Sequence, residues 1–205
     1  MIANFEPALH PIDIQTLRPT QMTIGLREVH RKRADWRQRA ERDGPNFLGQ
    51  HMIPAIIGPK STYYIIDHHH LVRALHEEGV SHVLVSVVAD LSGLKKSVFW
   101  TFMDNRNWLH PFDDEGVRQP HNRLPRKIDA MRDDPYRSLA GELRRSGGYA
   151  KDSTPYAEFL WADFLRQHID RKLIDQDFSR AVAKALPLSR RREAHYLPGW
   201  CGPYS

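Results

Sequence analysis

The sequence predicts an α+β fold, with an α/β N-terminal half built on a small mixed sheet and a helical C-terminal half packed on it. Three observations carry this expectation. Apolar, β-branched runs at residues 51–57, 62–66 and 82–89 all precede residue 91. Residues 63–80 read as strand, polar corner and helix in succession. After residue 91 the strand pattern gives way to helical periodicity and turn signals.

Each element has a local reason. A short strand opens within residues 9–17, where Ile12 and Ile14 alternate with polar neighbours, and Arg18-Pro19-Thr20 closes it. Thr23 or a neighbour caps a helix running through Ile24, Val29 and Trp36 to about Arg42, with Asp43-Gly44-Pro45 as its stop. Gly58-Pro59-Lys60-Ser61 is a turn, so the runs on either side of it pair as a hairpin. Tyr63-Tyr64-Ile65-Ile66 leads into Asp67, placed to cap a helix marked by Leu71, Ala74, Leu75 and Glu78 and stopped by Gly79. The valine-rich run 82–89 is a third central strand ending at Asp90.

Beyond it, Phe99, Trp100 and Met103 stripe a helix over 95–106, followed by a proline-rich loop over 108–125. Further helices are expected at 126–131, 135–145, 155–169 and 176–186. Asp134-Pro135 and Thr154-Pro155 each set a capping residue before a proline at the first helical position. No Gly/Ser-rich spacer separates residues 1–90 from 91–205, so the α/β core and the helical extension are expected to form one compact unit.

The 205 residues include 30 Lys and Arg against 25 Asp and Glu, a net charge of +5 that mildly favours anionic partners. Hydrophobic content of 40% and charged content of 27% are those of a soluble globular chain rather than a disordered or fibrous one. A single cysteine, Cys201, excludes an internal disulfide and suits a reducing compartment. Residues 1–7 have no leader pattern and no apolar run is long enough to span a bilayer, so the expected location is the cytoplasm, away from the membrane.

Asp67-His68-His69-His70 is the sharpest chemical signal. It stands where a strand ends and a helix begins, where backbone donors and the helix dipole favour an anion. An imidazole beside an aspartate can serve as acid, base or metal ligand. Arg73 shares a helical face with His69 and His70 through i,i+4 and i,i+3 spacing. The helix over 27–42 carries Arg27, Arg31, Lys32, Arg33, Arg37, Arg39 and Arg42; it is either a phosphate- or DNA-facing surface or a solvated face laced by Glu28, Asp35 and Glu41. Asp133-Asp134-Pro135-Tyr136-Arg137-Ser138 is a helix start with an arginine beside it, equipment that suits an anion. Walker, nucleophile-elbow and zinc-finger spacings are absent.

Asp67-His68-His69-His70-Leu71 with a later Ala74-Leu75 step resembles the Asp-Gly-His-His-Arg motif of the ParB/sulfiredoxin fold. It is similar above all to the ParB-like nuclease branch, in which Asp-His-His-His replaces the glycine form. Leu17-Arg18-Pro19-Thr20-Gln21, Gly25, Lys32, residues 133–141 and residues 158–163 also resemble that branch. The resemblance implies a small mixed sheet of the ParB/sulfiredoxin type. Relatives include chromosome-partitioning proteins that hydrolyse CTP, sulfiredoxins and an archaeal serine kinase, which grip nucleotide phosphate at the His-His corner. The sulfiredoxin cysteine has no counterpart here. His68 stands for the motif's glycine and Leu71 for its arginine, so Arg73 and Arg137 are the residues to replace that arginine.

The resemblance therefore implies an enzyme, a phosphotransferase or a phosphohydrolase or nuclease, that binds a nucleotide or phosphorylated small molecule. Asp67, His69 and His70 would be catalytic, and Gln21, Lys32, His68, Arg73 and Arg137 would bind phosphate. Magnesium would accompany a nucleotide, with Asp67 and His69 as candidate metal ligands. DNA bound along residues 27–42 is the alternative, and a histidine-based metal module a further one.

Overall fold

The strand-rich first half folds as a five-stranded mixed sheet whose two faces are covered by different helices. The structure is a computed structural model and describes residues 9–203. The strands are β1 (Leu9–Asp13), β2 (Arg18–Pro19), β4 (Ile53–Gly58), β5 (Thr62–Ile65) and β6 (His82–Asp90), in the spatial order β1-β6-β4-β5-β2. β4 and β5 form the expected antiparallel hairpin, Gly58 opposite Thr62, while β6 lies parallel to β4 and β2 parallel to β5. The remaining strands, β3 (Thr23–Ile24) and β7 (Arg132–Asp133), make a separate parallel pair that joins the two halves of the chain.

Period-two alternation decides which side chains meet which helix. Ile53, Ala55, Ile65, Val83 and Val85 face α1 (Leu26–Gln50) and α2 (His69–Glu77), whose Val29, Leu71, Val72 and Leu75 are buried against them. Ile56 and Tyr64, on the opposite face, pack against Phe99 and Met103 of α3 (Lys96–Asn105). The weak alternation of the valine run has a physical cause. Ala55 pairs with Val87 but Ile56 pairs with Ala89, so Val88 is an extra residue bulged out of the ladder and half exposed, and Ala89 turns to the α3 side.

A second core holds α4 (Pro135–Arg145), α5 (Ala157–His168), α6 (Arg171–Gln176) and α7 (Phe178–Ser189) around Leu139, Leu143, Trp161, Phe164, Leu165 and Ala185. This core begins at Tyr136 rather than near residue 91, because α3 and the turn at Ile128–Ala130 belong to the sheet's own cores. Among the described residues no helix is long and apolar enough to cross a membrane.

Four sequence expectations need correcting. The first helix begins at Leu26 and continues through Asp43-Gly44-Pro45 to Gln50. An interior proline costs about 3 kcal/mol and a glycine about 1. The extra turns, however, bury Phe47 to 5% exposure, its ring 5.1 Å from Trp36 and 4.2 Å from His51, and tuck Leu48 against the same core. Side chains of this kind contribute about 1.5–3 kcal/mol each when buried, enough to override the local stop. Residues 126–131 form only the one turn at Ile128–Ala130, since Arg132 must leave it to pair with Thr23. The fifth helix starts at Ala157, with Tyr156 rather than Thr154 at its cap. The last helix is displaced to Phe178–Ser189 by a separate α6, because the Asp177 side chain caps it by accepting from the Arg180 amide.

Phe47→Ala should lower stability by about 3 kcal/mol and shorten α1. Urea unfolding followed by far-ultraviolet circular dichroism checks both; unchanged stability would show that Phe47 does not hold the helix past Pro45.

Candidate functional site

β5 ends at Ile65, and the chain turns through Ile66-Asp67-His68 into α2. The turn needs a left-handed residue, and His68 supplies it with φ 61° and ψ 23°. A glycine would adopt this conformation without strain, which explains physically why the motif can carry one there. Asp67 does not cap α2 as expected. Its Oδ1 accepts from the adjacent His68 amide at 2.6 Å, and no side chain caps the helix, whose first amides are open.

The next two histidines hold the chain. His69 is 5% exposed, and its Nε2 accepts from the Thr20 amide at 3.2 Å. Its ring also bonds the Ile65 carbonyl, so it is neutral with the proton on Nδ1. His70 Nε2 accepts from the Gly25 amide at 3.0 Å. Burial pushes His69 down to about 3, with the neighbouring His70 next in effect. His70 keeps some solvent contact and is pushed well below its ordinary value by burial and then by the Arg137 charge.

Gly25 is also the cap residue of α1, and that helix start is built from distant side chains. The Gly25 amide meets His70, the Leu26 amide donates to Asp133 Oδ1 at 2.9 Å, and the Arg27 amide donates to Ser138 Oγ at 3.3 Å. A Cβ on Gly25 would stand 2.7 Å from Ser138 Oγ and 2.8 Å from its amide nitrogen, so only glycine lets α1 and α4 approach this closely.

These contacts enclose a cavity of about 580 Å³. Gln21, Lys32, Asp67, His68, His69, His70 and Arg137 all line it. Arg73 does not. Its guanidinium pairs with Glu77 at 2.5 Å and donates to the Asp129 carbonyl at 2.7 Å, tying α2 to the Ile128–Ala130 turn. A three-residue step along a helix leaves about 60° between side chains, enough to aim Arg73 away from His70.

Arg137 is the most telling residue. Its side chain is 5% exposed, stacked 3.8 Å from the Phe159 ring centre, and its Nη2 lies 3.3 Å from Glu158. Its Nε and Nη1 have no hydrogen-bond partner among the described residues. A buried guanidinium with two idle donors is costly unless an anion or water completes it. Glu158 is shared with Arg144, 3.1 Å away, and also lines the cavity, a place that its position in the family-like run 158–163 does not reveal. Glu28, also in the lining, is held at about 2: burial opposes ionisation, but Arg31 and Arg145 outweigh it. Behind Phe159 sits His110, 3.7 Å away and pushed down to about 3 by burial and then by Arg137.

Of the five non-glycine residues at positive φ among the described residues, three, His68, Asn107 and Tyr156, line this same cavity. Strained backbone collects where a site fixes geometry that local preference would not. Proximity in space, not spacing in sequence, brings Asn107 and Tyr156 here, and the Tyr156 hydroxyl donates to the Asn107 carbonyl at 2.5 Å.

The arginines of α1 are largely engaged: Arg31 with Glu28, Arg33 and Arg37 with Glu77 and Glu78, Arg42 with Asp43. The lacing acids therefore come mainly from α2, with Glu28 the one expected partner. Among the described residues no three His, Cys, Asp or Glu side chains converge as a metal cluster.

The comparisons agree with the motif. Residues 10–167 match the family model described as "Putative ParB-like nuclease". The crystal structure of protein Atu1540 from Agrobacterium tumefaciens is 50% identical, superposes with a TM-score of 0.90, and covers 97% of this chain and 100% of its own. No curated protein matches.

The depressed histidines set a pH dependence. In the unfolded chain they protonate below about pH 6.5, whereas His69 and His110 stay neutral in the folded protein down to about 3. Their contribution is thus complete above about 6.5 and lost on acidification, at up to about 1.4 kcal/mol per pH unit for each ring. Urea midpoints should fall between pH 7.5 and 5, and His69→Gln should flatten that fall; equal midpoints would overturn the assignment of neutral, structural imidazoles.

Proposed function

The chain belongs to the ParB-like nuclease family, and from that premise we propose that it binds a nucleotide or another phosphorylated small molecule in the Arg137 cavity and transfers or hydrolyses its phosphoryl group. The observation that carries this reading is the pair of unpartnered donors, Nε and Nη1, on buried Arg137, in the cavity that also receives the uncapped start of α2. A phosphate satisfies both: guanidinium and phosphate match in charge and fork geometry, and helix-start amides donate to a phosphate oxygen.

The residues divide by what their environment permits. Lys32 and Arg144 add positive charge at the cavity wall, and Gln21 offers a neutral donor. Asp67 is exposed and makes no ion pair among the described residues, so its carboxylate is the group available to accept a proton from an attacking hydroxyl or water. His69 and His70, held neutral with each Nε2 already accepting an amide proton, position the phosphate-binding backbone; they are weak bases in these surroundings. A magnesium ion arriving with a nucleotide would be held by Asp67 rather than by His69, whose Nε2 is occupied, and would neutralise phosphate charge.

Isothermal calorimetry against ATP, CTP and ADP with magnesium tests the reading. At least one should bind, and Arg137→Ala should weaken it by roughly 10- to 150-fold, the worth of about 1.5–3 kcal/mol for a charged hydrogen-bonded contact. Absence of binding to all three would sink the nucleotide version.

A further inference from the structure

A second cavity of about 590 Å³ lies where β2, β5, the start of α3 and residues 120–126 meet, and it shares no lining residue with the first. We infer that this groove binds a segment of single-stranded nucleic acid, with phosphodiesters on Arg18, Lys96 and Arg126 and a base on the Trp100–His121 face.

The charge is one-sided. Arg18, Lys96 and Arg126 line the groove, no lining residue is acidic, and none of the three makes an ion pair among the described residues. The first cavity differs, since Glu28, Asp67, Asp152 and Glu158 oppose its cations. Asp104 faces His121 at 3.8 Å while pairing with Arg118 at 2.5 Å. Arg18 donates to the Arg126 carbonyl, which fixes its guanidinium without cancelling its charge. α3 begins here at Lys96, with no side chain capping it, so its positive end adds to the same field.

The aromatic surface points to bases. Trp100 and His121 lie nearly parallel, 17° between planes and 5.6 Å between centres, and Tyr64 buttresses Trp100 edge-on at 5.4 Å. Flat rings beside uncompensated cations are what single-strand binding grooves use, because every base has a stacking face and every phosphodiester one negative charge. A duplex keeps its bases stacked inside and cannot offer one to Trp100. This inference does not rest on the phosphoryl chemistry proposed for the other cavity.

The test is fluorescence anisotropy of the full chain with a labelled oligothymidylate of about ten nucleotides. Binding is expected, weakening with salt at a log–log slope of about −2, from three phosphates at about −0.7 each. Trp100→Ala should weaken it about tenfold, the worth of one stacked base. Because Trp100 also packs beside Phe99, the exposed Lys96→Glu and Arg126→Glu carry the test without touching the core; each should weaken binding and flatten the salt slope. Four results would overturn the groove: no binding at low salt, binding indifferent to all three variants, equal competition by base-free polyphosphate or a duplex, or loss of binding only on Arg137→Ala.

Discussion

The start of α1 is the constraint on which the site depends. A helix beginning with glycine has no side chain of its own to satisfy its first amides, and here three side chains from elsewhere do so: His70 from α2, Asp133 from β7 and Ser138 from α4. Each bond ties a different segment to one point, so the sheet layer and the helical core are brought into register there. His69 adds a fourth tie, to the Thr20 amide between β2 and β3. An imidazole suits this role because its neutral ring can accept an amide proton at Nε2 while donating at Nδ1.

This arrangement separates the functions of adjacent residues. His69 and His70 line the cavity, but burial and their bonds to backbone amides keep both rings neutral. The same cavity holds the exposed Asp67, the uncapped start of α2 and buried Arg137 with its idle donors. Glu158 bridges Arg137 and Arg144, so the cavity's strongest cations are partly neutralised at rest. An anion entering there competes with a carboxylate that the fold itself supplies.

Local pattern was enough for much of this. The hairpin over Gly58–Ser61, the strand-to-helix turn at Asp67–His70 and the span Pro135–Arg145 follow from turn residues, periodicity and a capping Asp-Pro pair. Where a distant contact outweighs local preference, the pattern misleads: Phe47 carries α1 past Gly44-Pro45, and the bulge at Val88 blurs a strand's alternation. Arg73 illustrates the same limit at the site. Its spacing from His70 is right for a shared helical stripe, yet carbonyls near residue 129 and Glu77 claim it.

The sequence by itself determined the class of fold and the family motif, because these depend on residue types at fixed short spacings. Only the tertiary structure decided that His69 and His70 are neutral supports, that Arg137 lies buried with unpaired donors, and that Asn107, Tyr156 and Glu158 join the cavity wall. The physical reason is common to all three: burial, hydrogen-bond partner and approach between segments far apart along the chain are set by packing, and no local window of residues contains them.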